Sequence, residues 1–174
     1  METNNQELNN FIYRLRNADL RYASLSKALQ IIYWVLIAIY LVLLGVHIAY
    51  KEPVIEIIGS ICFLCGMFVF VLVFRTYTKE YQSIDYALPT LVMLKKAVYR
   101  YQPFQRTLWI VLIAVLFFDA GLSCQATTLS GFIWLQVAFF CTMFGAVLVG
   151  LWIWRIRYKP LRDEALRLIH DIEA

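Results

Sequence analysis

Four polar side chains lie within or near the ends of long apolar stretches, where ionisable groups are costly. Asp119 lies roughly 18 Å along a helix from Thr107, well inside its stretch. An ionised group there costs about 2.5–3.5 kcal/mol on insertion scales, so Asp119 is predicted to face other helices. His47, Glu56 and Gln136 are predicted at neighbouring depths, and the four can form a cluster that binds a proton or a cation. Alternatively, His47 and Glu56 lie at the headgroup level while a hydroxyl or amide holds Asp119.

Cys62 and Cys65 form a C-x-x-C pair within an apolar stretch. On a chain of this length with four such stretches, the pair resembles the membrane quinone reductases that make disulfides, and the vitamin K epoxide reductases. The resemblance implies a thiol oxidoreductase that uses Cys62 and Cys65, with Cys124 as a relay and a bound quinone. Those enzymes carry a second cysteine pair on a sizeable outward loop, and the outer loops here are too short for one. We favour cysteines that pack between helices.

Other motifs that would fix a reaction are missing from the sequence. It has no His and Cys pairs at zinc-binding spacing, no glycine-rich phosphate loop and no HExxH or GxSxG motif. We therefore assign no catalytic residue, no metal site and no cofactor, and we favour a protein that is not an enzyme over the thiol oxidoreductase.

Small residues recur every four positions in the last apolar stretch, at Ala138, Thr142, Ala146 and Gly150. A face of this kind lets helices approach closely in a membrane. We expect this seam to pack within its own chain, and packing against another subunit is the alternative.

The elements that position these residues follow from composition. Of the 174 residues, 61% are hydrophobic and 16% are charged, against about 45–50% and about 25% in soluble domains. This excludes a soluble enzyme. Four apolar stretches are each long enough to cross about 30 Å of hydrocarbon as a helix. They cover about 28–49, 55–74, 107–127 and 132–154.

The stretches divide the chain into two apolar hairpins and three polar segments. The predicted order is 1–27, the first hairpin 28–74, the linker 75–106, the second hairpin 107–154, and 155–174. All but one of the 16 Lys and Arg residues lie in the polar segments, and the exception is Lys51. Because basic residues are retained in the cytoplasm, both termini and the linker are predicted to be cytoplasmic. The fold class is therefore all-α: a polytopic four-helix bundle of a bacterial inner membrane, with amphipathic cytoplasmic helices.

Each polar segment carries an apolar stripe at helical spacing. The stripes are Leu8, Phe11, Ile12 and Leu15 in the first segment, Ile84, Leu88, Leu91 and Val98 in the linker, and Leu161, Ala165, Leu168, Ile169 and Ile172 in the last. Pro89 is predicted to end or bend the helix that arrives from the second span.

The three stripes can pack on one another, lie on the inner leaflet or receive a partner helix, and packing on one another is the default. Tyrosines interleaved with Lys and Arg favour the leaflet for the linker. They are Tyr77, Tyr81, Tyr86, Tyr99 and Tyr101.

These observations lead to three hypotheses. We favour an interaction or regulatory subunit that binds a protein partner through its cytoplasmic helices, because the outward side has little to bind with. The second is an oligomeric ion channel or proton-coupled transporter that uses Asp119, and the third is the thiol oxidoreductase. Membrane lipid, a cytoplasmic protein and further copies of the chain are the predicted partners. The net charge of +4 is spread over the membrane flanks, so no nucleic acid is predicted.

Overall fold

A computed structural model describes residues 2–86, 89–102, 107–126 and 129–173. All regular structure in these ranges is helical. Four of the helices are long and apolar enough to cross a membrane. The predicted all-α class, with four helices of membrane-spanning length, is therefore confirmed.

The helices follow one another with short connections. They are α1 (Glu2–Ala49), α2 (Val54–Gln82), α3 (Thr90–Arg100), α4 (Thr107–Gln125), α5 (Leu129–Ile153), a π-helix (Trp154–Tyr158) and α6 (Lys159–Glu173). The first polar segment and the first apolar stretch form one helix of 48 residues. At the other end of the chain, α5, the π-helix and α6 continue without a break.

The end of α1 is a turn held by backbone hydrogen bonds. The N–H of Glu52 donates to the carbonyl of His47 (3.0 Å) and the N–H of Lys51 to that of Ile48 (3.2 Å), the pattern of a Schellman motif. Lys51 adopts the left-handed conformation that this motif requires, with φ of 54°. Pro53 follows, and its ring prevents the helix from continuing. This turn separates α1 from α2.

Pro89 has a different role from the one predicted for it. The helix that arrives from the second span ends at Gln82, several residues earlier, and Pro89 instead caps the start of α3. Its carbonyl accepts the N–H groups of Val92 (2.9 Å) and Met93 (3.1 Å). Its φ of −48° suits a residue that leads into a helix. Leu88, Arg106 and residues 127–128 lie outside the described residues.

The chain divides into two compact units. The polar unit consists of Met1–Leu25, Thr78–Gln105 and Val147–Ala174, and the apolar unit of Ser26–Tyr77 and Arg106–Ala146. The core of the polar unit joins three helices. It contains Phe11 and Leu15 from α1, Met93, Leu94 and Ala97 from α3, Tyr101, and Ala165 and Leu168 from α6. The stripes of the first and last segments therefore pack on one another, the default among the three arrangements.

The linker stripe enters this core in a different register from the predicted one. Met93, Leu94 and Ala97 are buried, and of the predicted residues Val98 packs against them. The prediction continued the helical spacing through Pro89. Because α3 begins at Thr90, the helical phase starts again there.

Aromatic contacts join α1 to α2 in the apolar unit. The ring of Tyr33 stacks on Phe70 with centroids 5.2 Å apart, and Tyr40 contacts Phe63 at 5.7 Å. Ile37, between the two tyrosines, packs with Met67. Residue numbers rise along α1 as they fall along α2, so the two helices are antiparallel where they pack.

Glycines allow α2 to approach α4. A Cβ atom added at Gly59 would lie 3.0 Å from the Cβ of Cys124 and 3.1 Å from the carbonyl oxygen of Gly121. One added at Gly66 would lie 3.0 Å from the ring of Phe118. Side chains at these positions would force the helices apart, so the close approach depends on their absence.

Candidate functional site

The polar unit contains a buried carboxylate, Asp19. It follows Leu15 by one helical turn on the apolar stripe of α1, so the helix directs it into the core. Only 1% of Asp19 is exposed. A carboxylate removed from water is costly unless it is hydrogen-bonded and paired with a cation.

Three side chains bind this carboxylate, and between them they contact both of its oxygens. The hydroxyl of Tyr101 donates to Oδ1 at 2.6 Å, and the hydroxyl of Tyr86 donates to Oδ2 at 2.7 Å. Arg100 brings its Nη2 atom to 3.4 Å from Oδ2 and is itself only 8% exposed. The charge of Asp19 is therefore balanced by a buried cation and stabilised by two short hydrogen bonds.

An aromatic shell surrounds the carboxylate and its partners. Tyr158 stacks on Tyr101 with ring centroids 5.5 Å apart, and Tyr22 contacts both Tyr81 (4.4 Å) and Tyr158 (5.9 Å). The indole N–H of Trp154 donates to the backbone carbonyl of Tyr101 at 2.8 Å. Residues from α1, the end of α2, the segment before α3, the end of α3 and the π-helix thus meet at one place.

Burial shifts the acidity of these groups. Loss of solvation raises the pKa of Asp19, and the hydrogen bond from Tyr101, the charge of Arg100 and the hydrogen bond from Tyr86 oppose this rise. Burial likewise raises the pKa values of the Tyr81, Tyr86 and Tyr101 hydroxyls. The phenols therefore remain protonated donors. A carboxylate sealed in this way positions chain segments and does not meet a dissolved substrate.

A groove of about 540 Å³ lies on the surface of the polar unit. Its lining is Glu80, Ser83, Ile84, Asp85, Val92, Met93, Lys95, Lys96, Tyr99 and Arg100. Tyr99 is 58% exposed, and acidic and basic side chains both reach the rim. The groove thus offers apolar contact surface together with charges of both signs.

The sequence analysis did not identify Asp19. The signal was present, because position 19 continues the spacing of Leu8, Phe11 and Leu15 with a carboxylate. Three of the tyrosines assigned to the leaflet, Tyr81, Tyr86 and Tyr101, lie instead in the polar unit against this site or its shell. Tyr86 and Tyr101 lie there because their hydroxyls donate hydrogen bonds to the carboxylate of Asp19.

The predicted polar residues of the apolar unit lie in two pairs, each joined by a serine. Ser60 Oγ lies 3.4 Å from Nδ1 of His47 and donates to the backbone carbonyl of Glu56 at 3.0 Å. Gln136 donates through Nε2 to Ser123 Oγ at 3.0 Å. Ser123 in turn donates to the backbone carbonyl of Asp119 at 2.8 Å.

Asp119 itself keeps one carboxylate oxygen without a hydrogen bond. Its Oδ1 atom is buried, and no partner for it occurs in the part of the chain that the structure describes. Ser123 donates to the backbone carbonyl of Asp119 and not to its Oδ1 atom. An ion-binding cluster of Asp119, His47, Glu56 and Gln136 stays a prediction.

The cysteine pair lies on one face of α2. Cys62 is half-buried and Cys65 is exposed, and both carry free thiols. Within the described ranges, no group of three or more His, Cys, Asp or Glu side chains could hold a metal ion. Thiol chemistry at Cys62 and Cys65 stays a prediction.

The small-residue seam of α5 is exposed along its whole length. Ala138, Thr142, Ala146 and Gly150 are all exposed, and a Cβ atom added at Gly150 would meet no atom within 4 Å. The expected packing of this seam within its own chain is therefore not supported. Packing against another subunit stays a prediction.

Comparison with protein families, with curated proteins and with solved structures finds no match for this chain. The fold and the site define its class by themselves. It is an all-helical protein with four helices of membrane-spanning length and a folded polar unit built around a buried carboxylate.

Proposed function

We propose that this protein is a non-enzymatic integral membrane protein that acts as an interaction or regulatory subunit through its polar unit. The observation that carries the proposal is the convergence of three distant chain segments on Asp19 and the aromatic shell around it. A buried, hydrogen-bonded charge is costly, and here it fixes one arrangement of these segments. A defined surface of this kind suits recognition by a protein partner.

The surface for this partner is the groove beside α3. The apolar stripes of the chain ends are occupied in the core, so a partner would have to use another surface. Tyr99 supplies exposed aromatic area in the groove, and Lys96 and Glu80 supply charge at its rim. An amphipathic helix with charges of both signs fits these features.

The proposal includes the predicted topology. Two helical hairpins cross a bacterial inner membrane, and the polar unit lies in the cytoplasm. Its support is the distribution of Lys and Arg, since Lys51 alone falls outside the segments assigned to the cytoplasmic side. A protein partner would then come from the cytoplasm.

Site-specific photocrosslinking in native membranes tests the proposal. A crosslinking side chain at Tyr99 should give a discrete adduct with one protein, and the same side chain at Tyr50, which is 78% exposed in the turn after α1, should not. Asp19→Ala should abolish the adduct at position 99 by disordering the unit. Failure to form an adduct at position 99, or the same adduct from both positions, would reject the proposal.

A second candidate function is an oligomeric ion channel or proton-coupled transporter. The observation that favours it is the buried Oδ1 atom of Asp119, which lacks a hydrogen-bond partner among the described residues. Several copies, assembled through the exposed seam of α5, would surround the pathway. Purified protein in liposomes should then conduct protons or cations, and Asp119→Asn should abolish the flux while Glu52→Gln, in the turn after α1, leaves it unchanged. Absence of flux, or equal flux in both variants, would exclude this function.

A further inference from the structure

Three tyrosines from separate chain segments form a contact group within the polar unit. The ring of Tyr22, on α1, lies 4.4 Å from that of Tyr81, near the end of α2. It also contacts Tyr158, in the π-helix, edge-on at 5.9 Å. The three segments are therefore held side by side at these positions.

Each of these tyrosines has a basic residue beside it in the sequence. Arg21 precedes Tyr22, Lys79 precedes Tyr81 by two positions, and Arg157 precedes Tyr158. All three cations are exposed, and within the described ranges none forms an ion pair with an acidic side chain. The aromatic contacts thus group three segments that each present an exposed cation.

The positions of these cations along their helices set their depth. Arg21, Lys79 and Arg157 each lie within about two helical turns, roughly 11 Å, of the end of an apolar stretch. No helix break separates Arg21 or Lys79 from its stretch, and the π-helix continues α5 directly. Where these helices cross a bilayer, Lys79 and Arg157 lie at the level of the lipid headgroups, and the long side chain of Arg21 can reach that level.

We infer that Arg21, Lys79 and Arg157 bind the headgroups of anionic phospholipids. Arginine matches a phosphodiester with two parallel hydrogen bonds, and cations close to an anionic surface gain electrostatic free energy. Trp152 and Ile156, on either side of the junction between α5 and the π-helix, are 64% and 55% exposed. These apolar side chains suit lipid and do not suit a nucleic acid.

Lipid titration of the full-length protein tests the inference. The protein, purified in an uncharged detergent, is titrated with phosphatidylglycerol or phosphatidylcholine, and native mass spectrometry counts the bound lipids. The wild type should retain phosphatidylglycerol in preference. Lys79→Gln/Arg157→Gln should bind it roughly 10- to 30-fold more weakly, since each cation near the surface contributes on the order of 1 kcal/mol.

A matched variant controls for net charge. Arg16→Gln/Lys96→Gln removes the same two charges from exposed positions that lie farther along the chain from any apolar stretch, and this variant should bind phosphatidylglycerol like the wild type. Lys79→Arg/Arg157→Lys keeps the charge at both positions and should also retain binding. Equal losses in the two glutamine variants, or no loss in either, would overturn the inference.

Competition distinguishes the source of the phosphate. Inorganic phosphate in millimolar excess should leave phosphatidylglycerol bound, because it lacks the acyl chains that meet Trp152 and Ile156. Displacement by inorganic phosphate, or by single-stranded RNA at equal ionic strength, would overturn the assignment to lipid. The inference does not depend on the proposed protein partner, whose failure in the crosslinking experiment would leave this titration unaffected.

Discussion

The hydroxyl of Tyr101 donates a hydrogen bond of 2.6 Å to Oδ1 of Asp19, 82 positions earlier in the chain. Asp19 belongs to a helix that continues into the first apolar stretch, and Tyr101 ends the helix of the linker. The bond therefore joins two segments that the sequence separates by two apolar stretches. Its loss should affect the polar unit as a whole.

Asp19→Ala should destabilise the polar unit by about 3–5 kcal/mol. The change leaves the Arg100 guanidinium buried without its carboxylate and removes the acceptor of two tyrosine hydroxyls. Hydrogen exchange of the α3 amides, measured on the full-length protein in detergent, reports the free energy of opening. The exposed Asp163→Ala on α6 is the control and should change it by less than about 0.5 kcal/mol. Equal protection of α3 in both variants would contradict a structural role for Asp19.

Alkaline pH should unfold the polar unit. Burial raises the pKa values of the Tyr81, Tyr86 and Tyr101 hydroxyls above the ordinary value of about 10, so the unfolded chain loses these protons first. The unfolded state then binds fewer protons than the folded state, and the free energy of unfolding falls as pH rises above about 10. Tyrosinate absorbance at 295 nm should therefore complete its rise together with loss of tyrosine circular dichroism.

Removing one of these phenols checks the origin of the alkaline transition. Tyr81→Phe removes one hydroxyl that the folded state keeps protonated and the unfolded state does not. The free energy of unfolding should therefore fall less steeply with pH above about 10. Complete ionisation of the 11 tyrosines with an unchanged circular dichroism spectrum would show that the phenols are accessible in the folded state.

The carboxyl of Asp19 should produce a second pH dependence, at acid pH. Its pKa is raised by burial, so the folded state holds its proton at pH values where the unfolded chain has lost it. The contribution of this group to stability therefore grows as pH falls from the folded pKa towards about 4. The difference in unfolding free energy between the wild type and Asp19→Asn isolates it from other carboxyls. If this difference in unfolding free energy becomes smaller as pH falls, the pKa of Asp19 is lowered in the folded state, contrary to the prediction.

Gly59→Leu should weaken the packing of α2 on α4. A side chain there meets the Cβ of Cys124 and the carbonyl of Gly121 at 3.0–3.1 Å, and backbone cannot move aside as a flexible side chain can. Overpacking of this kind costs about 1–3 kcal/mol. Gly45→Leu on α1 is the matched control, because a Cβ atom there meets nothing within 4 Å. SDS-induced unfolding in mixed micelles should show a lower midpoint for Gly59→Leu alone.

Cys62 and Cys65 should remain reduced if they have no redox role. Alkylation of the protein in native membranes, followed by mass spectrometry, should then label both thiols before and after treatment with reductant. A disulfide between them that responds to an added quinone would support the oxidoreductase hypothesis instead. Cys62→Ser/Cys65→Ser should then leave the free energy of unfolding within about 1 kcal/mol of the wild type.

The sequence by itself determined the helical class, the four helices of membrane-spanning length and the amphipathic extension of the first helix. Hydrophobic runs and helical periodicity act locally along the chain, so they can be read without the fold. The stripes of the first and last segments also showed which residues enter the core, as Phe11 and Leu168 illustrate. The buried residues of the linker were predicted less well, because its helix begins only after Pro89 and the predicted helical spacing ran through that residue.

The tertiary structure alone decided which polar groups meet. Asp19 and Tyr101 are brought together by the packing of α1 on α3, and no local pattern encodes a contact between residues so far apart. Likewise, Ser123 became the link between Gln136 and the carbonyl of Asp119 only through the meeting of α4 and α5. Periodicity assigns a residue to a face of its helix, and the packing of the helices determines what that face touches.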